Sequence, residues 1–251
     1  MNSALHKSFQ TKTKKILREC KAFVDGSHFV YASGNHGDFY VNKDALYMHP
    51  MKLDDVSCMM YEVCSAAYGK NVDVILAPTY GGVILGQQLA YNYSLDTNKD
   101  VLFAYSELDV SGTYRVLRRG FSSLMKNARV IVVDDIVTTG NTLMALAQAA
   151  MGAGAHVLGA SVLVDRGKIR NLKFYPMDKK GVMDTTPFDL RIVPLLEMDL
   201  KTFPRESCPL CAAGRPIDPE FGEGHLQDPF KSICVNDVAA IKPIRIVDEK
   251  K

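Results

Sequence analysis

Asp134 and Asp135 stand side by side after the apolar run Val130-Ile131-Val132-Val133, and Thr138-Thr139-Gly140-Asn141-Thr142 follows shortly after them. Adjacent carboxylates accept hydrogen bonds from neighbouring hydroxyls, as on a ribose. Hydroxyl side chains around a glycine, just ahead of the periodic run Leu143 to Ala150, predict a turn into a helix. A helix amino terminus presents unpaired N–H groups and a positive dipole end, which suits a phosphate. A diol acceptor beside a phosphate cradle implies a sugar phosphate. Read singly, the acids are a solvated loop and Thr138 or Thr139 an ordinary helix cap. Strand, acids and Thr-Thr-Gly in one stretch favour the ligand.

The elements that must hold this stretch are legible as alternating strands and helices. Four β-branched residues, Val130 to Val133, predict a buried parallel strand with the acids beyond its carboxyl end. Asn71 to Leu76, Val101 to Tyr105, His156 to Val164 and residues 188–197 predict further strands, with helices over 52–68, Val83 to Ala90 and 143–152. Such alternation predicts a doubly wound parallel α/β sheet whose loops gather at the strands' carboxyl ends. Thr79-Tyr80-Gly81-Gly82 follows one strand and precedes a helix, repeating the anion-site logic, and the glycines let backbone approach a ligand closely. Residues 106–120 form a polar excursion carrying Arg115, Arg118 and Arg119, either a mobile loop or a solvated hairpin. Asp165-Arg166-Gly167 ends another strand; Arg166 either meets an anion or pairs with Asp165.

Upstream, residues 8–23 have the spacing of an amphipathic helix with a cationic outer face. Gly26 to Asn42 alternates aromatic with small residues and predicts two short strands around a Ser33 to Gly37 turn. Lys43 either touches ligand or closes a strand at the surface.

A chain of 251 residues, 47% apolar, is long enough for one sizeable core, and a formal net charge of +2 gives no push towards nucleic acid. No apolar run approaches the roughly 20 residues that span a bilayer, and the lysines near the start precede no apolar segment of a secretory signal. Six scattered cysteines do not make a small disulfide framework. A reducing cytoplasm is the expected location. From Lys201 the chain becomes proline-rich, and residues 201–251 are expected as an irregular extension of a domain spanning 1–200, with a hood at about 24–50. Cys208-Pro209-Leu210-Cys211 is half of a zinc site, which His225 and Cys234 would complete; two unmetallated thiols are the alternative.

The stretch Val130 to Thr142 resembles the binding motif of type I phosphoribosyltransferases: an apolar strand, two acids and a T-T/A-G-x-T turn. The hairpin resembles the amino-terminal hood of the orotate phosphoribosyltransferase branch, matching at Phe29, Ser33, Gly34, Tyr40 and Asn42 and departing at Ala32 and Gly37. The resemblance implies that Asp134 and Asp135 hold the ribose hydroxyls of phosphoribosyl pyrophosphate and that Thr138, Thr139, Gly140, Asn141 and Thr142 hold its 5′-phosphate. It further implies that Thr79, Tyr80, Gly81 and Gly82 face the pyrophosphate, bound with magnesium, while Arg115, Arg118 and Arg119 close over it. Ser33, Gly34, Phe39, Tyr40 and Lys43 would cover the base, and Arg166 would meet the carboxylate of orotate. The loop departs from the orotate pattern: its usual Lys and His are missing and Glu107 and Asp109 are acidic. The implied activity is transfer of a phosphoribosyl group to a pyrimidine base, orotate, in a homodimer without nucleic-acid or membrane partners. The alternatives are another base or a non-catalytic regulator that binds phosphoribosyl pyrophosphate; a regulator would add a DNA-binding domain or basic face, and the sequence displays neither.

Overall fold

The structure, a computed structural model, describes residues 3–31, 33–112, 114–177 and 183–222. In chain order the elements are α1 (Ser3–Glu19), β1 (Phe23–Val30), β2 (His36–Val41), α2 (Lys43–Tyr47), α3 (Pro50–Tyr68), β3 (Val74–Pro78), α4 (Val83–Thr97), β4 (Leu102–Leu108) and β5 (Arg115–Val116). They continue with α5 (Phe121–Leu124), β6 (Arg129–Val137), α6 (Asn141–Gly152), β7 (His156–Asp165), β8 (Asn171–Phe174), β9 (Phe188–Glu197) and α7 (Pro209–Ala212). The described chain divides into two compact units, one built from Met1–Phe23 with Asn42–Leu200, the other from Val24–Val41 with the segment from Lys201.

In the first unit the described strands form a seven-stranded sheet in the order β5-β4-β3-β6-β7-β9-β8. Its five central strands run parallel, and β5 and β8 close the edges antiparallel. The expected doubly wound sheet is therefore a mixed, mostly parallel one. Both faces are covered, as a parallel sheet requires. Leu143, Leu146, Ala147 and Ala150 of α6 are buried in one cluster with Val74, Leu76, Val130, Val132, Ala160 and Val162. Ile75, Ile131 and Val133 alternate with those residues along their strands, point to the opposite face and are fully buried there. On that face α4 packs on β3 and β6, and α3 on β7 and β9.

Three expectations about this unit are corrected. The strand expected at Asn71 to Leu76 is β3, Val74–Pro78. The strand over Val130 to Val133 continues through Val137, because β7 is long enough to pair with it as far as Val137↔Asp165. The acids are thus inside the last turns of a strand, not beyond it. Among the described residues β8, which the sequence reading did not predict, pairs antiparallel with β9.

In the second unit β1 and β2 form a two-stranded sheet, with the Tyr31 amide donating to the Asn35 carbonyl (2.8 Å) across the turn. The turn is 31–35, so Gly37 lies within β2. Segments from the far end of the chain pair with this hairpin. His36 and Phe203 exchange backbone hydrogen bonds (2.8 and 2.9 Å), and the Asp218 amide donates to the His28 carbonyl (2.7 Å). The Tyr40 ring lies 5.6 Å from both Phe29 and Phe221.

Gly37 has a packing reason. A Cβ there would lie 2.3 Å from the hydroxyl of Tyr31, which is itself pinned by donating to the Phe39 carbonyl (2.6 Å). Gly37→Ser should therefore destabilise this unit by about 1–3 kcal/mol, the usual range for an overpacked site. Thermal unfolding checks this, and a double-mutant cycle with Tyr31→Ala should show strong coupling between the two positions. Additive effects would mean that Tyr31 is not what excludes the side chain.

Candidate active site

Adjacent residues of a strand point to opposite faces. Asp134 and Asp135 nonetheless keep their carboxyl groups within hydrogen-bond reach of each other near the end of β6, and among the described residues it is Asp135 that forms an ion pair. Asp135 forms an ion pair with Lys43 of α2, Nζ to Oδ2 3.2 Å, both side chains largely shielded. Asp134 lies in the field of Arg115 from β5. Both acids are buried, at 6% and 8% exposure. Each also accepts a backbone hydrogen bond from the next residue, Asp134 from the Asp135 amide (2.9 Å) and Asp135 from the Ile136 amide (2.6 Å). Burial, then the neighbouring Asp135 charge, pushes the Asp134 carboxyl well above the ordinary carboxylate range, while Arg115 pulls it back. Burial lowers the Arg115 guanidinium from its ordinary value, against the opposing attraction of Asp134.

Around Asp135 the backbone is close. A Cβ at Gly81 would lie 2.8 Å from Asp135 Oδ2, so only glycine lets this turn approach the acid. Gly82, the N-cap of α4, has the same constraint from Pro78 at 2.7 Å. The turn is held from two sides. The Thr79 amide donates to Ser106 (2.9 Å), extending the ladder between β3 and β4, and the Tyr47 hydroxyl donates to the Gly81 carbonyl (2.9 Å). Burial and nearby acids, Asp135 first among them, raise the Tyr47 hydroxyl far above its ordinary value, so it remains a donor. The Gly81 amide is turned back onto Thr79 (3.1 Å) in this state, and Tyr80 stands out with 94% exposure and a positive φ of 68°.

The phosphate cradle expected at Thr138 to Thr142 is a turn ending at Gly140, whose φ of 83° makes it the left-handed N-cap of α6. No side chain caps that helix. Thr138, Thr139 and Asn141 are exposed and Thr142 is half-buried. The helix begins at Asn141, ahead of the predicted Leu143. Behind the turn lies the loop after β7. The Arg166 amide donates to the Val137 carbonyl (2.9 Å), and a Cβ at Gly167 would lie 2.1 Å from the Thr138 carbonyl oxygen. Arg166 is thus seated against the turn, half-buried, while Asp165 bonds the Gly167 amide and Arg170 (2.9 Å each).

The excursion at 106–120 is a hairpin, with Glu107 facing Val116 and Leu108 facing Arg115. Arg119 donates to Glu107 (2.9 Å), and Arg118 sits 3.7 Å from the same carboxylate. Of the three loop arginines, the structure brings only Arg115 to the acids; the other two are exposed and engaged with Glu107. Ser33, Gly34, Phe39 and Tyr40 belong to the second unit. There the Gly34 amide donates to the Tyr31 carbonyl (2.8 Å), Ser33 Oγ accepts from the Asn35 amide (3.4 Å), the Phe39 carbonyl takes the Tyr31 hydroxyl, and Tyr40 is a ring among rings.

Sequence reasoning missed Tyr47 and Gly167, and it left Lys43 undecided. Nothing near them in the chain signals their partners, which lie far away in sequence. Of the expected zinc ligands, Cys208 and Cys211 fall beside His28 and His36 within the second unit, all four ligand atoms within 4.8 Å of one another; His225 and Cys234 lie outside the described residues.

Among the described residues no helix is long and apolar enough to cross a membrane. Residues 42–180 match the sequence profile of the phosphoribosyl transferase domain. The orotate phosphoribosyltransferase of Caldanaerobacter subterraneus subsp. tengcongensis is 30% identical over 194 residues, covering 77% of this chain and 88% of that protein. The enzyme of the same description from Campylobacter curvus is 30% identical over 203 residues, covering 80% of this chain and 93% of the relative. The crystal structure of orotate phosphoribosyltransferase from Aeropyrum pernix superposes with a TM-score of 0.54 at 21% identity, over 73% of this chain and 92% of that one.

Proposed function

The chain belongs to the phosphoribosyltransferase family, and from that premise we propose that it transfers the 5-phosphoribosyl group from phosphoribosyl pyrophosphate to a ring nitrogen of a pyrimidine base, orotate, releasing pyrophosphate. The observation that carries the reading is the buried Asp134–Asp135 pair with Lys43 on one side and Arg115 on the other, between a glycine turn and an uncapped helix start. The choice of orotate rests on relatives of that description at 30% identity over most of their length.

In this reading the C1′–oxygen bond breaks well ahead of bond formation to the base nitrogen, and the electron pair leaves with pyrophosphate. Asp134 and Asp135 take hydrogen bonds from the ribose hydroxyls and stabilise the positive charge that develops on the sugar. Thr138 to Thr142 and the start of α6 hold the 5′-phosphate. Arg115 exchanges Asp134 for the leaving pyrophosphate. Arg118 and Arg119 release Glu107 as the hairpin closes, shutting out water that would hydrolyse the activated sugar. Arg166 is placed behind the phosphate turn to meet a ligand carboxylate. The oxygen donors of the paired acids suit a hard cation, and magnesium bound with phosphoribosyl pyrophosphate would neutralise part of the leaving group's charge. Two such chains are expected to pair as a homodimer.

A different acceptor base is the second reading, favoured by Gly37, where the hood pattern has serine, and by Glu107, which occupies two of the loop arginines. Pyrophosphate release with phosphoribosyl pyrophosphate, magnesium and a panel of bases separates the two. Turnover with orotate above every purine is the expected result. Turnover with a purine and none with orotate would sink the orotate assignment and keep the family reaction.

A further inference from the structure

His28 lies on β1, His36 on β2, Cys208 is the N-cap of α7 and Cys211 lies within it. We propose that these four residues form a structural zinc site that locks the hairpin to the segment from Lys201. The donor set is two imidazoles and two thiols, which is the combination that selects zinc in closed tetrahedral sites. Its geometry fits. A tetrahedral zinc with bonds of about 2.0–2.1 Å to nitrogen and about 2.3 Å to sulfur sets its ligand atoms roughly 3.3–3.8 Å apart. Here Cys208 Sγ is 3.6 Å from His28 Nε2, and Cys211 Sγ is 3.7 Å from His28 Nε2 and 3.3 Å from His36 Nδ1, all within that range; the two ring nitrogens, 2.9 Å apart, are in hydrogen-bond contact and would part slightly to admit the ion.

His28 has an outer partner, whereas the outer Nε2 of His36 is buried without a hydrogen bond among the described residues. His28 Nδ1 faces the Arg215 carbonyl at 2.9 Å. A carbonyl only accepts, so Nδ1 carries the proton and Nε2 turns a lone pair into the cluster, the arrangement that orients ligating histidines in metal sites. The cysteines are free thiols. His28, His36 and Cys208 are buried, at 1%, 0% and 2% exposure, so a metal there would be closed off from water as structural sites are.

The unit also needs such a centre. It is assembled from two segments distant in the chain around a two-stranded sheet. Units this small usually rely on a staple besides their core. A metal that ligates residues from both segments contributes its binding free energy to their association. This proposal does not depend on the catalytic reading, because its ligands are separate from the phosphoribosyl machinery.

Metal analysis of the full chain, purified without chelator, should find one zinc per chain. Cobalt substituted for it should give the visible absorption of a tetrahedral ion together with thiolate charge transfer. His28→Ala and Cys208→Ser should each weaken metal binding by roughly 100-fold or more, since loss of even an outer-layer partner costs 10–100-fold. His225→Ala and Cys234→Ser should leave it unchanged. His28→Cys, which keeps a ligand, should retain the metal and shift the cobalt spectrum, separating ligand loss from misfolding. A chain that holds no metal after incubation with zinc and gel filtration overturns the site. So does one that loses metal with Cys234→Ser yet keeps it with His28→Ala.

Discussion

Asp135→Asn should lower turnover by about 100-fold or more, the scale of losing one preorganised polar group that acts on developing charge. The fold should survive. The side-chain oxygen of asparagine can still accept the Ile136 amide, as Asp135 Oδ1 does at 2.6 Å. Losing the ion pair with Lys43 costs stability, but removing the charge also relieves its repulsion with buried Asp134. These oppose, and the net change should stay below about 2 kcal/mol. Pyrophosphate release and thermal unfolding measured on the same preparation separate the two effects. An unchanged rate would remove Asp135 from the site, and a collapsed fold would make it a structural residue.

The second large effect is expected at Gly167→Ala, a position with no reacting atom. The added methyl meets the backbone oxygen of Thr138 at 2.1 Å, and a carbonyl in a turn has no rotamer through which to retreat. Either the loop after β7 or the phosphate turn must move. Because the Arg166 amide is bonded to Val137, the displacement should pass to Arg166 and the start of α6 together. Misplacement near 1 Å can cost about 100-fold, so kcat/KM for phosphoribosyl pyrophosphate should fall by about 10- to 100-fold. Gly152→Ala is the control, since among the described residues its new methyl would find only Met177 backbone at 3.5 Å. Equal activity of the two variants would show that the loops can part without harm.

How far the sequence disclosed this site follows from which contacts are local. Val130 to Thr142 was readable because strand, acids and glycine turn are contiguous, and short-range chemistry dictates each of them. What it did not disclose is that Asp134 and Asp135 sit inside the strand, buried, with their carboxyl groups still in contact. That depends on how far β7 continues alongside, and residues 28 positions away decide it, as in the pairs Asp134↔Val162 and Val137↔Asp165. Lys43 stays open between ligand and surface, and Tyr47 gives no signal at all, until α2 sets them against Asp135 and Gly81. The thiol pair was visible as C-x-x-C; His225 and Cys234, expected to complete it, lie outside the described residues, and the ligands beside it among the described ones are His28 and His36. His28 and His36 come from the other end of the chain, beyond the reach of any spacing rule.

That separation bears on synthesis. His28 leaves the ribosome 180 residues before Cys208, and the sheet unit lies between them. At the usual 5–20 residues per second, the hairpin waits roughly ten to thirty-five seconds for its partner segment. During that interval His28 and His36 lack their thiol neighbours Cys208 and Cys211, and His36 lacks the backbone pairing with Phe203. Completion of the small unit therefore waits for the segment from Lys201, and a nascent chain cut short before residue 208 would carry the whole of the phosphoribosyl cradle and an unfinished hairpin.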